Sequence, residues 1–276
     1  MGPGDLFSAH FLDHKAPGAP ARFAEQLGES GLVTLDGLAT REAVLSFASR
    51  VMTVSPHRDS DPDGLTTIRD SPRHAGRPGF AGLGSGQLDP HTERSGLPSP
   101  PRLMLLVCSR PADRGGECLL TDGRRVHADL LHRGDGEAAD VLSRPRTAYF
   151  GAGNGHASQV LSYHRDGRVS IRLRFDALAR WSPIVRPHLP GLRAAALSHQ
   201  LSLRLTPGQG YLLDNQRWLH ARSAFVGDRV HWRALGNPRF NFRHGFAPAA
   251  GAPLSPTGSC PDHAVAGQKS SARLLR

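Results

Sequence analysis

The sequence has 276 residues, of which 38% are hydrophobic and 21% are charged. These values exclude a small disulfide-stapled peptide and a wholly disordered chain, because neither has enough apolar residues for a large core. The formal net charge of +10 by itself favours nucleic acid or an anionic membrane as a partner. However, 32 of the 34 cations are arginine, and they are spread along the chain, whereas phosphate recognition concentrates its charge. We therefore expect a small-molecule substrate, without a nucleic acid or membrane partner.

The cysteines and the apolar runs predict the compartment. Cys108, Cys118 and Cys260 are odd in number, and their spacing matches neither a zinc site nor a disulfide framework. No run approaches the roughly 18 apolar residues of a membrane span, and residues 1–15 lack the pattern of a secretory signal. The sequence predicts a cytoplasmic protein and leaves its oligomeric state open.

The first part of the chain predicts a few regular elements followed by a long loop. The predicted elements are a mostly irregular stretch over 1–20, a short helix over 21–27, a buried strand over 32–35 and a helix over 41–52 capped by Thr40. Residues 56–90 are rich in Gly, Pro, Asp and Ser, apart from a short apolar run at 65–68. Long loops inside compact domains tend to be lids or binding loops, so we expect this segment to act as a lid.

The remainder predicts antiparallel strands, with one helical insert near residues 126–131. The apolar runs lie at 103–108, 118–121, 149–150, 160–163, 169–175, 201–205, 211–213 and 230–235. Such short strands separated by turns are typical of a barrel or jelly roll. We expect a mainly β fold with flanking helices, in a single domain over 1–248, and a disordered polar tail over 249–276.

Fifteen histidines direct attention to His-x-Asp/Glu triplets, since on a strand both side chains of such a triplet point to the same face and can share one metal ion. Chance alone produces such triplets in this composition, and four are present: His57/Asp59, His91/Glu93, His127/Asp129 and His164/Asp166. The first lies in the polar loop, the third in a predicted helix and the last in a predicted turn. We therefore favour His91 and Glu93, which lead into the most apolar strand.

A third ligand and an anion site are expected from the last strands. His220 follows the predicted strand at 211–213, and Arg229 and Arg233 lie four residues apart on one predicted strand, hence on the same face. A guanidinium inside a barrel requires an anionic partner, and a carboxylate bound through two hydrogen bonds is the natural one.

Together these residues resemble the taurine dioxygenase and clavaminate synthase-like family of iron(II)/2-oxoglutarate oxygenases. The resemblance covers about 90–240, with residues 31–38 similar to that family's early strand. Its blocks, in order, are His91-Thr92-Glu93, Pro100-Pro101, Gly115-Gly116-Glu117-Cys118 with Asp122, Asp214-Asn215, and His220-Ala221-Arg222 with Phe225, Arg229 and Arg233. The ordered combination is far more specific than any single block.

The resemblance implies a double-stranded β-helix (jelly roll) in which His91, Glu93 and His220 hold Fe(II), with 2-oxoglutarate and O2 as cosubstrates. It further implies that Arg229 binds the far carboxylate of 2-oxoglutarate and that Arg233 contacts cosubstrate or substrate. Because the interval between His220 and Arg229 is shorter than in many relatives, the two arginines remain interchangeable in these tasks. Glu93 argues against halogenation, because halogenating relatives lack a carboxylate at this position.

One position departs from the family. Cys118 stands where relatives usually have a threonine whose hydroxyl contacts 2-oxoglutarate, and a thiol is a weaker hydrogen-bonding partner. We expect Cys118 to contact 2-oxoglutarate and the affinity for this cosubstrate to be reduced, unless Thr121 or a water replaces the missing hydroxyl.

The predicted function is hydroxylation of a small polar metabolite, such as a free amino acid or a derivative, in specialised metabolism. Arg172 and Arg174 share one face of the run at 169–175, and Arg174 with Asp176 is a candidate pair for the carboxylate and amine of an amino acid; Arg233 is a further substrate candidate. Desaturation, epoxidation or cyclisation would use the same cofactors. Two other classes stay open: a cupin-like metal protein without 2-oxoglutarate, and a basic nucleic-acid-binding protein.

Overall fold

The computed structural model describes residues 3–74, 77–132 and 136–249, so the predicted disordered tail lies outside the described residues from position 250 onward. The helices are α1 (Pro3–Ala9), α2 (Ala19–Glu29), α3 (Arg41–Val51), α4 (Gly123–His132), α5 (Glu137–Ser143) and α6 (Leu189–Ser198). None of the helices in these ranges is long and apolar enough to cross a membrane.

The strands are short and mostly antiparallel. They are β1 (Leu32–Leu35), β2 (Met52–Val54), β3 (Thr66–Ile68), β4 (Leu88–His91), β5 (Leu103–Arg110), β6 (Arg114–Gly115), β7 (Cys118–Asp122), β8 (Ala148–Phe150), β9 (His156–Ser158), β10 (Leu161–Tyr163), β11 (Val169–Ile171), β12 (Ala179–Trp181), β13 (Leu201–Leu203), β14 (Gly210–Asp214), β15 (Trp218–Arg222), β16 (Phe225–Val226) and β17 (Val230–Pro238). Every strand run predicted after Pro101 corresponds to one of them.

The larger sheet has the order β1-β14-β5-β17-β2, with β3 also paired to β17. Its central strand β5 is buried on both faces, which explains its unbroken apolar sequence. Alternate residues of β5 enter different cores: Leu103 and Leu105 pack toward α2 and α3, whereas Met104 and Cys108 pack toward the smaller sheet.

The smaller sheet has the order β13-β7-β15-β4. Cys118 and Leu120 of β7 pack against Tyr211 and Leu213 of β14, so this core lies between the two sheets. The outer face is covered by α4, α5 and α6, with Leu219 of β15 in their shared core. The layout places β4 and β15 side by side at one end of the two-sheet core.

Two expectations about the helices are wrong. Residues 3–9 form α1 where a mostly irregular stretch was expected, and its Leu6 is buried between the sheets. The region after Pro101 contains α5 and α6 in addition to the predicted insert, which is α4. Helices this short carry little periodic signal of their own and form because tertiary packing buries one face.

The loop over 56–90 is largely irregular, as expected. It contains β3, the start of β4 and two single turns of 3-10 helix at Pro72–His74 and Ala81–Leu83. Buried Arg222 of β15 donates hydrogen bonds to the backbone carbonyls of Gly82, Gly84 and Gly86. The loop is thereby tied to the end of the smaller sheet where the candidate site lies.

Candidate metal centre and anion pocket

Two adjacent strands bring the predicted metal ligands together. His91 at the end of β4 stands opposite His220 in β15, and Glu93 follows two residues later. One potential ligand atom from each of the three residues lies within 4.8 Å of the others. The imidazole centroids are 4.1 Å apart, and Nε2 of His220 lies 3.4 Å from Oε1 of Glu93. The structure therefore gathers the predicted triad at one point.

The protonation states of this cluster suit a metal. Nδ1 of His91 lies 2.9 Å from the carbonyl oxygen of Asp89, so Nδ1 carries the hydrogen and Nε2 keeps its lone pair. Burial, reinforced by the neighbouring His220, lowers the pKa of His91 to about 3. Burial opposes ionisation of Glu93, but the Arg233 guanidinium and the two histidines hold its pKa well below the usual range. The cluster thus contains a neutral imidazole and a carboxylate, the donor types that a facial triad requires.

Backbone contacts orient the segment between these ligands. The amide of Thr92 donates to the carbonyl of Leu173 at 2.8 Å, and the amide of Leu173 donates to Oγ1 of Thr92 at 3.1 Å. Thr92 is buried, with 3% of its surface exposed. The intervening threonine therefore fixes the turn from which His91 and Glu93 project.

A cavity of about 70 Å³ adjoins the triad and contains two buried arginines. Arg229 donates to the carbonyl of Gly116 at 3.1 Å and contacts Sγ of Cys118 at 3.7 Å. Arg222 donates to the three glycine carbonyls of the loop, and its Nε has no hydrogen-bond partner. Neither guanidinium has a carboxylate within ion-pairing distance among the described residues, so the cavity is electrostatically prepared for an anion.

Burial and the adjacent Arg229 lower the pKa of Arg222 to about 10, which leaves it charged at neutral pH. Phe225 lies against both guanidinium groups, 4.8 Å from Arg222 and 5.7 Å from Arg229 measured to the ring centroid. Arg222 was quoted in the family motif but was not predicted as a binding residue. Its strand position, two residues from a metal ligand on the same face, was the available signal.

Arg229 and Arg233 line the same cavity, as their spacing predicted, but their partners differ. Arg233 in β17 forms an ion pair with Oε1 of Glu93, whereas Arg229 lies just before β17 and faces Gly116 and Cys118. Among the described residues, Arg229 is thus the member of the pair whose charge has no carboxylate partner.

Cys118 lies inside the anion pocket, beside Arg229 and Tyr211. Burial raises the pKa of its thiol, so the group is a neutral thiol at physiological pH. The suggestion that Thr121 replaces the missing hydroxyl is wrong, because Thr121 donates its hydroxyl to the carbonyl of Ala196 in α6. An offset of three residues along β7 places Thr121 on the opposite face from Cys118.

A second cavity, of about 500 Å³, also borders the triad, with His91 and Glu93 in its wall, and has room for a larger ligand. Arg174 and Asp176 both line it and are hydrogen-bonded to each other, with Nε of Arg174 2.7 Å from Oδ1 of Asp176. Arg172, predicted to share their face, instead donates to the carbonyls of Leu97 and Pro98 and supports the turn after Glu93.

The triplet His57/Asp59 was discounted for lack of a strand, yet tertiary packing places it in the wall of this cavity. Nδ1 of His57 lies 3.2 Å from Oδ2 of Asp59. Burial and the charge of Arg233 lower the pKa of His57 to about 4. The other two rejected triplets lie elsewhere, with His127 buried in α4 and His164 in the turn between β10 and β11, as predicted.

Comparisons with known proteins identify the class. The family model "Taurine catabolism dioxygenase TauD, TfdA family" matches residues 9–235, which is well over half of the chain. The chain therefore belongs to the TauD/TfdA family of dioxygenases, which use Fe(II), 2-oxoglutarate and O2. The resemblance found in the sequence is confirmed.

Individual relatives are distant. Mitochondrial trimethyllysine dioxygenase of Rattus norvegicus is 26% identical over 163 residues, a region that covers 51% of this chain and only 38% of that protein. An asparagine oxygenase bound to Fe(II), 3-hydroxyasparagine and succinate superposes with a TM-score of 0.61 at 17% identity, over 82% of this chain and 83% of that one. The non-heme iron oxygenase OrfP bound to Fe and 2-oxoglutarate gives 0.62 at 18% identity, over 85% and 83%. These likenesses confirm the predicted double-stranded β-helix.

Proposed function

We propose that this protein is an Fe(II)- and 2-oxoglutarate-dependent oxygenase that hydroxylates an amino acid or a small amino acid derivative. The observation that carries the proposal is the adjacency of a buried two-histidine, one-carboxylate cluster to a pocket in which two buried arginines, Arg222 and Arg229, lack carboxylate partners among the described residues. The first feature suits iron and the second suits a dianionic cosubstrate.

His91, Glu93 and His220 would hold the iron, because their donor atoms converge and because His91 and Glu93 already have the protonation states of ligands. The iron, together with 2-oxoglutarate, supplies O2 activation coupled to decarboxylation of the cosubstrate to succinate. The chain itself contributes the position of the ligands. Arg233 neutralises part of the Glu93 charge in the buried site and restricts the carboxylate's rotation.

Arg229 would bind the carboxylate of 2-oxoglutarate farther from the metal, with Arg222 as a second cation in the same pocket. Arg229 is held in place by the Gly116 carbonyl, and the stacking of Phe225 shields both guanidinium groups from water. Cys118 would lie beside that carboxylate as a neutral thiol. Burying a charged ligand here offsets the cost of two unpaired buried cations.

The substrate would occupy the larger cavity, where Arg174 and Asp176 are proposed to bind the carboxylate and amine of an amino acid. Each side chain satisfies the other in the free protein and retains hydrogen-bonding capacity on its cavity side. An amino acid substrate agrees with the similar proteins, which include an asparagine oxygenase and an enzyme crystallised with hydroxyarginine. We also propose that the protein is cytoplasmic and that its reaction belongs to specialised metabolism.

An anaerobic titration tests the cofactors without knowledge of the substrate. Purified apoprotein receives Fe(II) and then 2-oxoglutarate, and the visible charge-transfer band of the chelate is recorded. The expected band appears in the wild type, is lost in His91→Ala and requires far more 2-oxoglutarate in Arg229→Ala. Iron binding without any band would favour a cupin-like metal protein that does not use 2-oxoglutarate.

A further inference from the structure

Arg94 directly follows the candidate metal ligand Glu93 and has an unusual backbone. Its φ of 52° lies in the left-handed region, where among the described residues the only other non-glycine residue is Arg146. This conformation disfavours a side chain with a Cβ and costs about 1 kcal/mol or more unless the surroundings enforce it. The conformation places half-buried Arg94 in the wall of the larger cavity.

The other arginines that line this cavity already have partners. Arg174 is paired with Asp176, and Arg233 is paired with Glu93. Arg58 donates to the Gly79 carbonyl at 3.0 Å and stacks on Phe80, with 4.3 Å to the ring centroid. The side chain of Arg94 has no hydrogen-bond acceptor among the described residues.

The carboxylates of the cavity wall cannot supply that acceptor, because each is engaged elsewhere. Asp59 interacts with His57 and Arg58, and Asp89 interacts with Arg193 from outside the wall at 2.8 Å. Asp176 and Glu93 are engaged by the arginines described above.

Arg94 is also influenced by charges of both signs: Glu93 and Asp59 favour its charged form, whereas Arg233 and Arg58 oppose it. Among the described residues of the wall, Arg94 is therefore the arginine that has no hydrogen-bonded carboxylate of its own.

We propose that Arg94 binds a second carboxylate of the substrate, distinct from the α-carboxylate assigned to Arg174. The substrate class is then an amino acid with an acidic side chain. The inference rests on the proposed function, because it takes the larger cavity as the substrate site. A planar guanidinium that lacks a partner and is partly shielded from water binds a carboxylate through two parallel hydrogen bonds, and this geometry selects against the uncharged amide.

Substrate-dependent succinate formation tests the inference with a panel of matched pairs: aspartate with asparagine, glutamate with glutamine, and 2-aminoadipate as a longer acid. We expect the wild type to favour at least one acid over its amide by about 30-fold in kcat/KM, as estimated from the strength of a charge-assisted pair. In Arg94→Gln this preference should fall to within about threefold of unity, mainly through a higher KM for the acid. Arg94→Lys should recover part of it.

Two controls separate this role from a general defect. Arg144→Gln removes an exposed arginine that pairs with Asp140 on α5, far along the chain from the site, and should retain the full acid preference. The charge-transfer band of Fe(II) and 2-oxoglutarate should be unchanged in Arg94→Gln, which shows that the variant folds and binds its cofactors. An equal loss of acid preference in both variants would overturn the inference.

The outcomes distinguish the inference from the function on which it rests. Absence of the band in the wild type would overturn the cofactor assignment and, with it, the role of Arg94. A band with no response to any amino acid of the panel would overturn the inference, because no acidic amino acid is then a substrate, and would leave the cofactor assignment standing. Turnover without a preference for acids, or a preference that survives in Arg94→Gln, would overturn the inference alone.

Discussion

The side chain of Asn215 holds Glu93 by both polar groups of its backbone. The amide of Glu93 donates to Oδ1 of Asn215 at 2.7 Å, and Nδ2 of Asn215 donates back to the carbonyl of Glu93 at 3.0 Å. The same Nδ2 donates to the carbonyl of Pro101 at 2.8 Å. One buried side chain at the end of β14 thus fixes a candidate metal ligand 122 positions earlier in the chain.

Replacing this clamp tests its role as a positioning residue. Asn215→Ala leaves buried backbone groups of Glu93 and Pro101 without partners, so we expect a loss of about 2–4 kcal/mol in the free energy of unfolding. The affinity for Fe(II) should fall about tenfold, as is typical when a residue that supports a metal ligand is lost. Urea denaturation and anaerobic iron titration measure the two effects. Asn237→Ala is the control: this exposed side chain accepts a hydrogen bond from the Arg102 amide. The variant should change neither the free energy of unfolding nor the affinity for Fe(II) to a comparable extent.

Loss of the carboxylate itself should be more severe for activity. In Glu93→Ala we expect no detectable turnover and iron affinity reduced by at least 100-fold, because a ligand is gone and the half-buried Arg233 is left without its partner. Succinate formation and iron titration check this. Glu42→Ala removes an exposed glutamate from the first turn of α3 and is the matched control. Normal turnover in Glu93→Ala would overturn the metal assignment.

A pair of arginine variants separates the two tasks that the sequence left interchangeable. Arg229→Gln should weaken 2-oxoglutarate binding about 100-fold, the order expected for truncating a buried charge pair, and leave iron binding intact. Arg233→Gln should instead weaken iron binding, because its partner is Glu93. Titrating each ligand in each variant measures this crossed pattern. The reverse pattern would exchange the two assignments.

The cysteine in the anion pocket is expected to limit cosubstrate affinity. In Cys118→Thr a hydroxyl replaces a neutral thiol next to Arg229, so we expect the KM for 2-oxoglutarate to fall by about three- to tenfold, consistent with one added hydrogen bond of about 1 kcal/mol. Cys118→Ala serves as the control for volume, and it should not lower the KM. A KM unchanged by threonine would mean that position 118 does not contact the cosubstrate.

His127 should make the fold sensitive to acid. It is fully buried in α4 with Nε2 2.9 Å from the hydroxyl of Tyr163, and burial lowers its pKa to about 4. In the unfolded chain His127 binds a proton near pH 6.5. Its contribution to the free energy of unfolding is therefore complete above that pH. It falls progressively down to about pH 4, by about 3 kcal/mol in total.

Urea denaturation at pH 7 and pH 5 measures the effect. His127→Gln should lose less stability than the wild type between these two pH values. His132→Gln, an exposed histidine on the same helix, should behave like the wild type. An identical pH dependence in all three proteins would contradict the prediction.

Local sequence was sufficient for much of the β framework. The apolar run of β5 reads as a doubly buried strand because its residues face a core on either side, and Thr40 accepts a hydrogen bond from the Ala43 amide as the capping pattern of α3 predicts. The residues His91, Glu93 and His220 were also identifiable, because they belong to an ordered set of motifs, with His91 and Glu93 at and just after the end of β4 and His220 within β15.

The substrate cavity was much less accessible to prediction. His57 and Asp59 lie in an irregular loop with no strand to orient them, and Arg94 looks like an ordinary polar residue after a motif. Their place in the wall depends on how the loop over 56–90 and the turn after Glu93 pack together. Such contacts join segments far apart in sequence, so no local pattern encodes them.

Arg229, just before the last strand, and Arg233, within it, illustrate the division. Their spacing of four predicted correctly that both side chains enter one cavity, since alternation along a strand is a local geometric property. That Arg233 pairs with Glu93 while Arg229 keeps its charge uncompensated depends on which strand ends meet. Sequence periodicity determines the face of a strand that a residue occupies, but the partner on that face is supplied by a distant segment and is fixed only by tertiary packing.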